Sequence, residues 1–268
     1  MGNRLSIGRR GNVSFFYLYN QISNNKDMKT FTKALAAVML MMFIAAGCGK
    51  DDESNNDGGD NNGGNTNTHT YVDLGLPSGT LWATCNVGAT TPDGYGDYFA
   101  WGETQPKATY NWSTYQYVNG DYDQLTKYCT YSYYGYNGFT DDLTTLLSED
   151  DAATANWGND WRMPTWAEWE ELKNNTTVTW MTRNGVNGRL FTASNGDSLF
   201  LPAAGYRLDD ELDDVGNLGR YWSSSIHMGG PDDGWSFGFD SGHYNLGGYI
   251  DRCRGHSVRA VHSSRQKH

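Results

Sequence analysis

Residues 49–68 carry Asp, Asn, Gly, Ser, Thr and Glu and almost nothing apolar, so this stretch has nothing to bury. Such a composition cannot offset the entropy of ordering the chain, and residues 48–68 read as a flexible acidic tether. The tether divides the sequence. Ahead of it, the basic start Met28-Lys29-Thr30-Phe31-Thr32-Lys33 leads into an apolar run from Ala34 to Ala46, which ends at Gly47-Cys48. About a dozen apolar residues fall short of the roughly 20 that span a bilayer. A charged start, a short apolar run and small residues before a cut make a secretory signal over residues 28–47. Residues 1–27 form an extension with no assigned role, and Met28 is a second candidate start. A folded core is therefore expected only over residues 69–262, with a short tail at 263–268.

Charge limits the partners. Residues 1–47 hold six Lys/Arg and one Asp, which leaves 14 basic and 30 acidic groups in the remainder, a net of −16. An acidic surface repels phosphate backbones and anionic lipid headgroups, so nucleic acid is excluded as a partner class. Low hydrophobicity does not imply disorder here, because 10 Trp, 18 Tyr and 10 Phe are far more aromatics than disordered chains carry. With 33 Gly, the expectation is a loop-rich domain with an aromatic core.

Local patterns give the elements. Val72 and Leu74, then Leu81 to Val87, read as two short strands around the turn Gly75-Leu76-Pro77-Ser78-Gly79. Residues 107–138 are polar and tyrosine-rich, a long ordered loop region. One helix is expected to start at Ser148, with Asp151 three residues on, and to end by Gly158. A second starts at Thr165 with Glu168 three residues later, a capping box, buries Trp169 and Leu172, and stops at Asn174-Asn175. Short strands follow at Leu190–Thr192, Ser198–Leu201 and Tyr221–Ser224. Trp235, Phe237 and Phe239 alternate with small or polar residues, as a strand with one buried face requires. Val258 and Val261 suggest a closing strand. Two short helices, many short strands and long ordered loops make an α+β fold with an irregular antiparallel sheet.

Three resemblances add to this reading. Cys48 directly after Ala45-Ala46-Gly47 resembles the bacterial lipoprotein signal, which implies acylation of Cys48 and an outer-membrane lipid anchor. Lys50-Asp51-Asp52-Glu53 resembles the export signal of surface-exposed Bacteroidetes lipoproteins, which implies a domain facing the medium. Further on stand Trp161-Arg162-Met163-Pro164-Thr165 with Glu168-Trp169, Leu201-Pro202-Ala203-Ala204-Gly205-Tyr206-Arg207, Gly219-Arg220-Tyr221-Trp222-Ser223-Ser224-Ser225, and Gly255-His256-Ser257-Val258-Arg259-Ala260-Val261. Their order, with Val72 to Ala83 ahead of them, resembles the Fibrobacter succinogenes major paralogous domain. That family is distantly similar to the formylglycine-generating-enzyme group. The resemblance implies a variant of the C-type lectin fold. In that frame Trp161, Trp222 and Trp235 are expected in the core, Gly205 and Gly219 at backbone shapes a side chain would block, and Arg162, Arg207 and Arg259 forked onto carbonyls or carboxylates.

Few signatures of catalysis are present. The formylglycine-generating relatives bind copper through a cysteine pair in the C-terminal part, where this chain has only Cys253. His227, His243, His256 and His262 form no HExxH pattern, Ser223-Ser224-Ser225 lacks a Gly-x-Ser-x-Gly elbow, and no P-loop or dinucleotide fingerprint occurs. Paired carboxylates for glycoside hydrolysis remain an open alternative. With Cys48 acylated, Cys85, Cys129 and Cys253 are an odd number, and the sequence does not choose a disulfide pair; Cys85 reads as a packed free thiol.

Binding is the expected activity, with glycan or a surface protein as partner, and a structural surface role without a small ligand is the alternative. Trp112, Tyr115, Tyr117, Tyr133, Tyr134 and Tyr136 are the candidate ligand contacts, since exposed aromatics stack on apolar sugar faces; packing of the loop onto the sheet is the competing reading. Asp209, Asp210, Asp213 and Asp214 could supply oxygen ligands to calcium, or form a solvated loop. No other cofactor is implied. Gln105-Pro106-Lys107 and Trp157-Gly158-Asn159-Asp160 only echo the calcium-dependent sugar-binding motifs of C-type lectins.

Overall fold

The structure, a computed structural model, describes residues 69–244 and 247–262. The expected extension, signal, Cys48, tether and tail all lie outside the described residues. Among the described residues, antiparallel sheets dominate and two α-helices accompany them, an α+β architecture.

Chain punctuation sets the first sheet. Gly75 and Gly79 take left-handed backbone at φ 62° and 73°, and the Gly79 N–H donates to the Leu76 carbonyl at 2.9 Å. The turn lets β1 (Tyr71–Val72) fold back on β2 (Leu81–Asn86), with Tyr71 opposite Ala83. The last strand, β14 (Arg259–His262), lies between β2 and β4 (Trp161–Arg162), with Val261 opposite both Trp82 and Arg162. The order is β1-β2-β14-β4.

A second sheet holds β3 (Tyr98–Phe99), β10 (Gly219–Ile226), β11 (Asp233–Phe239), β12 (Gly248–Asp251) and β13 (His256–Ser257), in the order β12-β11-β10-β13-β3. Only the β10–β13 contact, Tyr221 opposite Ser257, is parallel. A third sheet is the meander β5 (Thr176–Arg183), β6 (Val186–Ala193) and β7 (Ser198–Pro202). Asn184-Gly185, both at positive φ, close the β5–β6 hairpin with Arg183 opposite Val186, as a two-residue turn matched to strand twist requires. β8 (Tyr206–Leu208) and β9 (Glu211–Asp213) form a separate hairpin.

The helices are α1 (Ala152–Trp157) and α2 (Trp166–Asn174). The Thr165–Glu168 capping box is present in α2, and Trp169 and Leu172 are its buried residues. The expected start of α1 at Ser148 is corrected: Ser148–Asp150 is a 3-10 turn, and Asp151 caps the helix through the Ala153 and Thr154 N–H groups. The Asp151 carboxylate also accepts from the Met163 N–H at 2.8 Å, so the cap ties α1 to the chain entering α2. Strand β5 went unread in the sequence.

Two aromatic cores result. In one, the Trp169 ring lies parallel to Phe237 at 4.9 Å and 2°, with Trp82, Phe191 and Phe239 around them. Fully burying side chains of this size contributes on the order of 2–3 kcal/mol each. In the other, Trp101, Trp222, Tyr98 and Tyr128 pack together, and the indole N–H groups of Trp101 and Trp222 donate to the Ser223 and Phe99 carbonyls at 2.8 and 2.7 Å. Trp161 and Trp222 are buried as expected; Trp235 is only half-buried. Cys85, Cys129 and Cys253 are free thiols, the last two buried and Cys85 half-buried.

Candidate functional site

Between β3 and α1 the chain forms the long loop expected from its tyrosines, and its inner and outer faces differ. Hydrogen bonds fix its path. Leu125 donates to the Tyr134 carbonyl at 2.7 Å, Tyr136 donates to the Leu125 carbonyl at 2.8 Å, and Thr126 donates to the Tyr117 carbonyl at 3.0 Å. The Asp141 carboxylate accepts from the Tyr128, Cys129 and Leu143 N–H groups at 2.7, 3.0 and 3.2 Å.

The inner face is a set of tyrosines whose hydroxyls end on polar partners, as buried phenols must. Tyr110 donates to the Tyr98 carbonyl at 2.5 Å and Tyr115 to the Trp101 carbonyl at 2.7 Å. Tyr117 and Tyr128 both donate to the buried carboxylate of Asp150, which also accepts from Lys127 Nζ at 2.6 Å. Burial raises the pKa of Tyr117 and Tyr128, and their hydrogen bonds to Asp150 raise it further. Burial likewise pushes Tyr98 up to about 12. All three stay protonated donors at neutral pH.

The expected ligand set is thereby divided. Tyr115 and Tyr117 are buried, and this corrects their place in a surface site: their rings face Trp101 and Asp150 rather than solvent. Trp112 is half-buried with its ring edge-on to Tyr115 at 5.5 Å. Tyr133 is 71% exposed and Tyr136 41%. Tyr134 is half-buried between them and the outer Tyr122, edge-on to Tyr133 at 5.1 Å and to Tyr122 at 6.5 Å. Tyr122, Tyr131 and Phe139 are also exposed on the same loop, and the candidate set read from sequence did not include them. The neighbouring Tyr133 and Asp123 raise the pKa of the exposed Tyr122.

The acidic segment 209–214, read from sequence as calcium ligands at Asp209, Asp210, Asp213 and Asp214 or as a solvated loop, folds as part of the β8–β9 hairpin. Asp209 turns the chain at φ 53°, exchanges backbone hydrogen bonds with Tyr110, and accepts from Asn111 Nδ2 at 2.8 Å. Asp213 lies in β9 opposite Tyr206. Among the described residues no three His, Cys, Asp or Glu side chains are gathered for a metal ion. The hairpin instead holds one end of the tyrosine loop.

No family model, curated protein or solved structure matches this chain. A rigidly tied loop that turns five large aromatic side chains to solvent offers planar apolar faces and phenol hydroxyls. These are groups for binding by stacking and hydrogen bonding.

Proposed function

We propose that this protein is an exported, lipid-anchored surface protein whose domain binds glycan through the outer face of the tyrosine loop and performs no chemistry on it. One observation carries the reading: Tyr122, Tyr131, Tyr133, Tyr136 and Phe139 are exposed on a loop whose other face is bonded into the core. Each ring leaves a large apolar area in water, and groups of exposed aromatics mark interaction sites. The lipoprotein-like segment at Cys48 supports the anchor, and Lys50-Asp51-Asp52-Glu53 supports an outer-membrane position facing the medium. The ordered motifs from Trp161 to Val261 support the C-type-lectin-like fold and membership of the major paralogous domain group. The antiparallel sheets, two helices and long ordered loop accord with it.

The test has two arms. Labelled palmitate should mark the protein in cells, and Cys48→Ala should remove the label and release the chain from the membrane fraction. A glycan array probed with the purified chain should give a restricted set of positives that a Tyr133→Ala/Tyr136→Ala variant loses. Uniform silence on the array would favour a structural surface protein that takes no small ligand.

A further inference from the structure

A second aromatic group has no part in the tyrosine loop. Trp166, the first residue of α2, lies flat on Trp235 of β11, with centroids 4.7 Å apart and planes 19° apart. His227, in the β10–β11 turn, lies flat on Tyr249 of the edge strand β12 at 4.0 Å and 8°. Trp235 meets His227 and Tyr249 edge-on at 5.3 and 6.3 Å. Trp235 and Tyr249 are also cross-strand partners. The face of β11 that is core at Phe237 and Phe239 thus comes to the surface at Trp235, where Tyr249 is 52% exposed.

Polar groups without partners adjoin this platform. Asp233 stands opposite Asp251 in the β11–β12 register, and Asp251 is ion-paired with Arg254 at 2.8 Å. The Asp233 carboxylate makes no hydrogen bond or ion pair among the described residues. His227 Nδ1 is buried and lacks a hydrogen-bond partner. Gly229 and Gly230 keep the turn open over these groups. A methyl on Gly230 would sit 3.0 Å from Asp232 Oδ1, 3.7 Å from His227 Nδ1 and 3.9 Å from Asp233 Oδ2.

Flat rings beside polar groups without side-chain partners fit a ligand with apolar C–H faces and a rim of hydroxyls. Burial, with Asp232 and Asp251 close by, pushes the Asp233 pKa up to about 7, which weakens the field a cation would need. We propose that Trp166, Trp235, His227 and Tyr249, with Asp232 and Asp233, form a second carbohydrate site for neutral pyranose chains whose hydroxyls are equatorial. Such sugars present a continuous apolar face to stacked rings and their hydroxyls to the carboxyls. This site uses none of the tyrosine-loop residues and stands or falls separately from the reading above.

The experiment titrates the full chain with cellohexaose, xylohexaose and chitohexaose at millimolar concentration. The readouts are tryptophan emission and, by NMR, the His227 ring proton. At least one sugar should shift both signals, and Tyr249→Ala and Asp233→Asn should each weaken that binding by about tenfold or more. Tyr133→Ala/Tyr136→Ala should leave it unchanged. Three results would overturn the site: no signal change with any of the three sugars, affinities unaffected by both platform variants, or a dimer in sedimentation that Tyr249→Ala dissolves. Sugar binding lost only in the loop variant would overturn the platform; binding lost only in the platform variants supports the platform and leaves the loop to the glycan array. The wild-type NMR shift needs no variant, so a Tyr249→Ala chain that misfolds does not remove the test.

Discussion

The guanidinium of Arg162 closes on the carboxylate of Glu168, Nη2 to Oε1 at 2.5 Å and Nη1 to Oε2 at 2.8 Å. The same carboxylate accepts from the Thr165 N–H at 2.8 Å and from the Thr80 hydroxyl at 3.1 Å, so it joins the turn just ahead of β2, strand β4 and the start of α2. Burial works to raise the Glu168 pKa, but the hydrogen bonds from Arg162 and Thr165 and the guanidinium charge overcome it and hold the carboxyl below its usual value. Glu168→Gln should destabilise the fold by about 2 kcal/mol at pH 7, discounted for the half-exposed arginine. A carboxyl of lowered pKa stabilises above its unfolded value and loses that effect as pH falls through the folded one. The gap between wild type and variant in urea melts should therefore narrow below pH 4.

The Asp150 carboxylate gathers Tyr117, Tyr128 and Lys127 in the second core. Asp150→Asn keeps the volume but leaves Lys127 without its closest anion and one phenol without a full acceptor. Losing one member of a buried charged network should cost about 3 kcal/mol. Hydrogen exchange should rise first across residues 107–147, which this carboxylate pins, and later in β5–β7. Equal acceleration across both regions would contradict the local role.

Some of this was legible in sequence, because it is local. Thr165 and Glu168 stand three residues apart, and the capping box depends on nothing else. Asn184-Gly185 carries its turn in two residues, yet β5 before it went unread. The strand does alternate, with Thr177 and Thr179 outward and Val178 and Trp180 half-buried against the core, but only two apolar side chains carry that pattern and no residue of β5 is fully buried. At α1, Ser148 and Asp151 are both able caps, and the choice falls to Asp151 because its carboxylate also serves Met163, 12 residues on. Tyrosines 115, 117, 133 and 136 are indistinguishable by composition. Their burial is set by Trp101 and by Asp150, which is 33 residues from Tyr117, and such contacts leave no local pattern.

Gly205 and Gly219 were expected to hold shapes that a side chain blocks, and the two do so differently. Gly205 has φ 69°, and an added methyl would lie 2.0 Å from the Asp213 carbonyl oxygen. At Gly219 the obstacle is the Phe239 ring, 2.2 Å away. Backbone cannot yield as a ring can, so Gly205→Ala should cost about 3 kcal/mol or more and Gly219→Ala about 1–3 kcal/mol. Thermal melts of the two variants check the order; the reverse order would refute the distinction.

Asp233 should make stability depend on pH in the direction opposite to Glu168. Burial and the neighbouring Asp232 and Asp251 raise its folded pKa to about 7. A raised carboxyl binds its proton more tightly in the folded state, so its effect is fully present below about pH 4 and is lost as pH rises through about 7. Asp233→Asn should melt higher than wild type at pH 8, with the difference shrinking toward pH 4. An equal difference at both pH values would show that the carboxyl ionises freely in the fold.

Strand β14 sits between β2 and β4, so residues 259–262 are the seam that joins the opening of the domain to its middle. Until that seam is made, Trp82 and Trp161 belong to separate, unclosed edges. A chain whose residues 259–262 are not yet free to pair holds an incomplete sheet, and the domain closes only once they are. A bulky fusion pressed directly against His262 would therefore trap the chain half-zipped, whereas one placed in a surface loop would not.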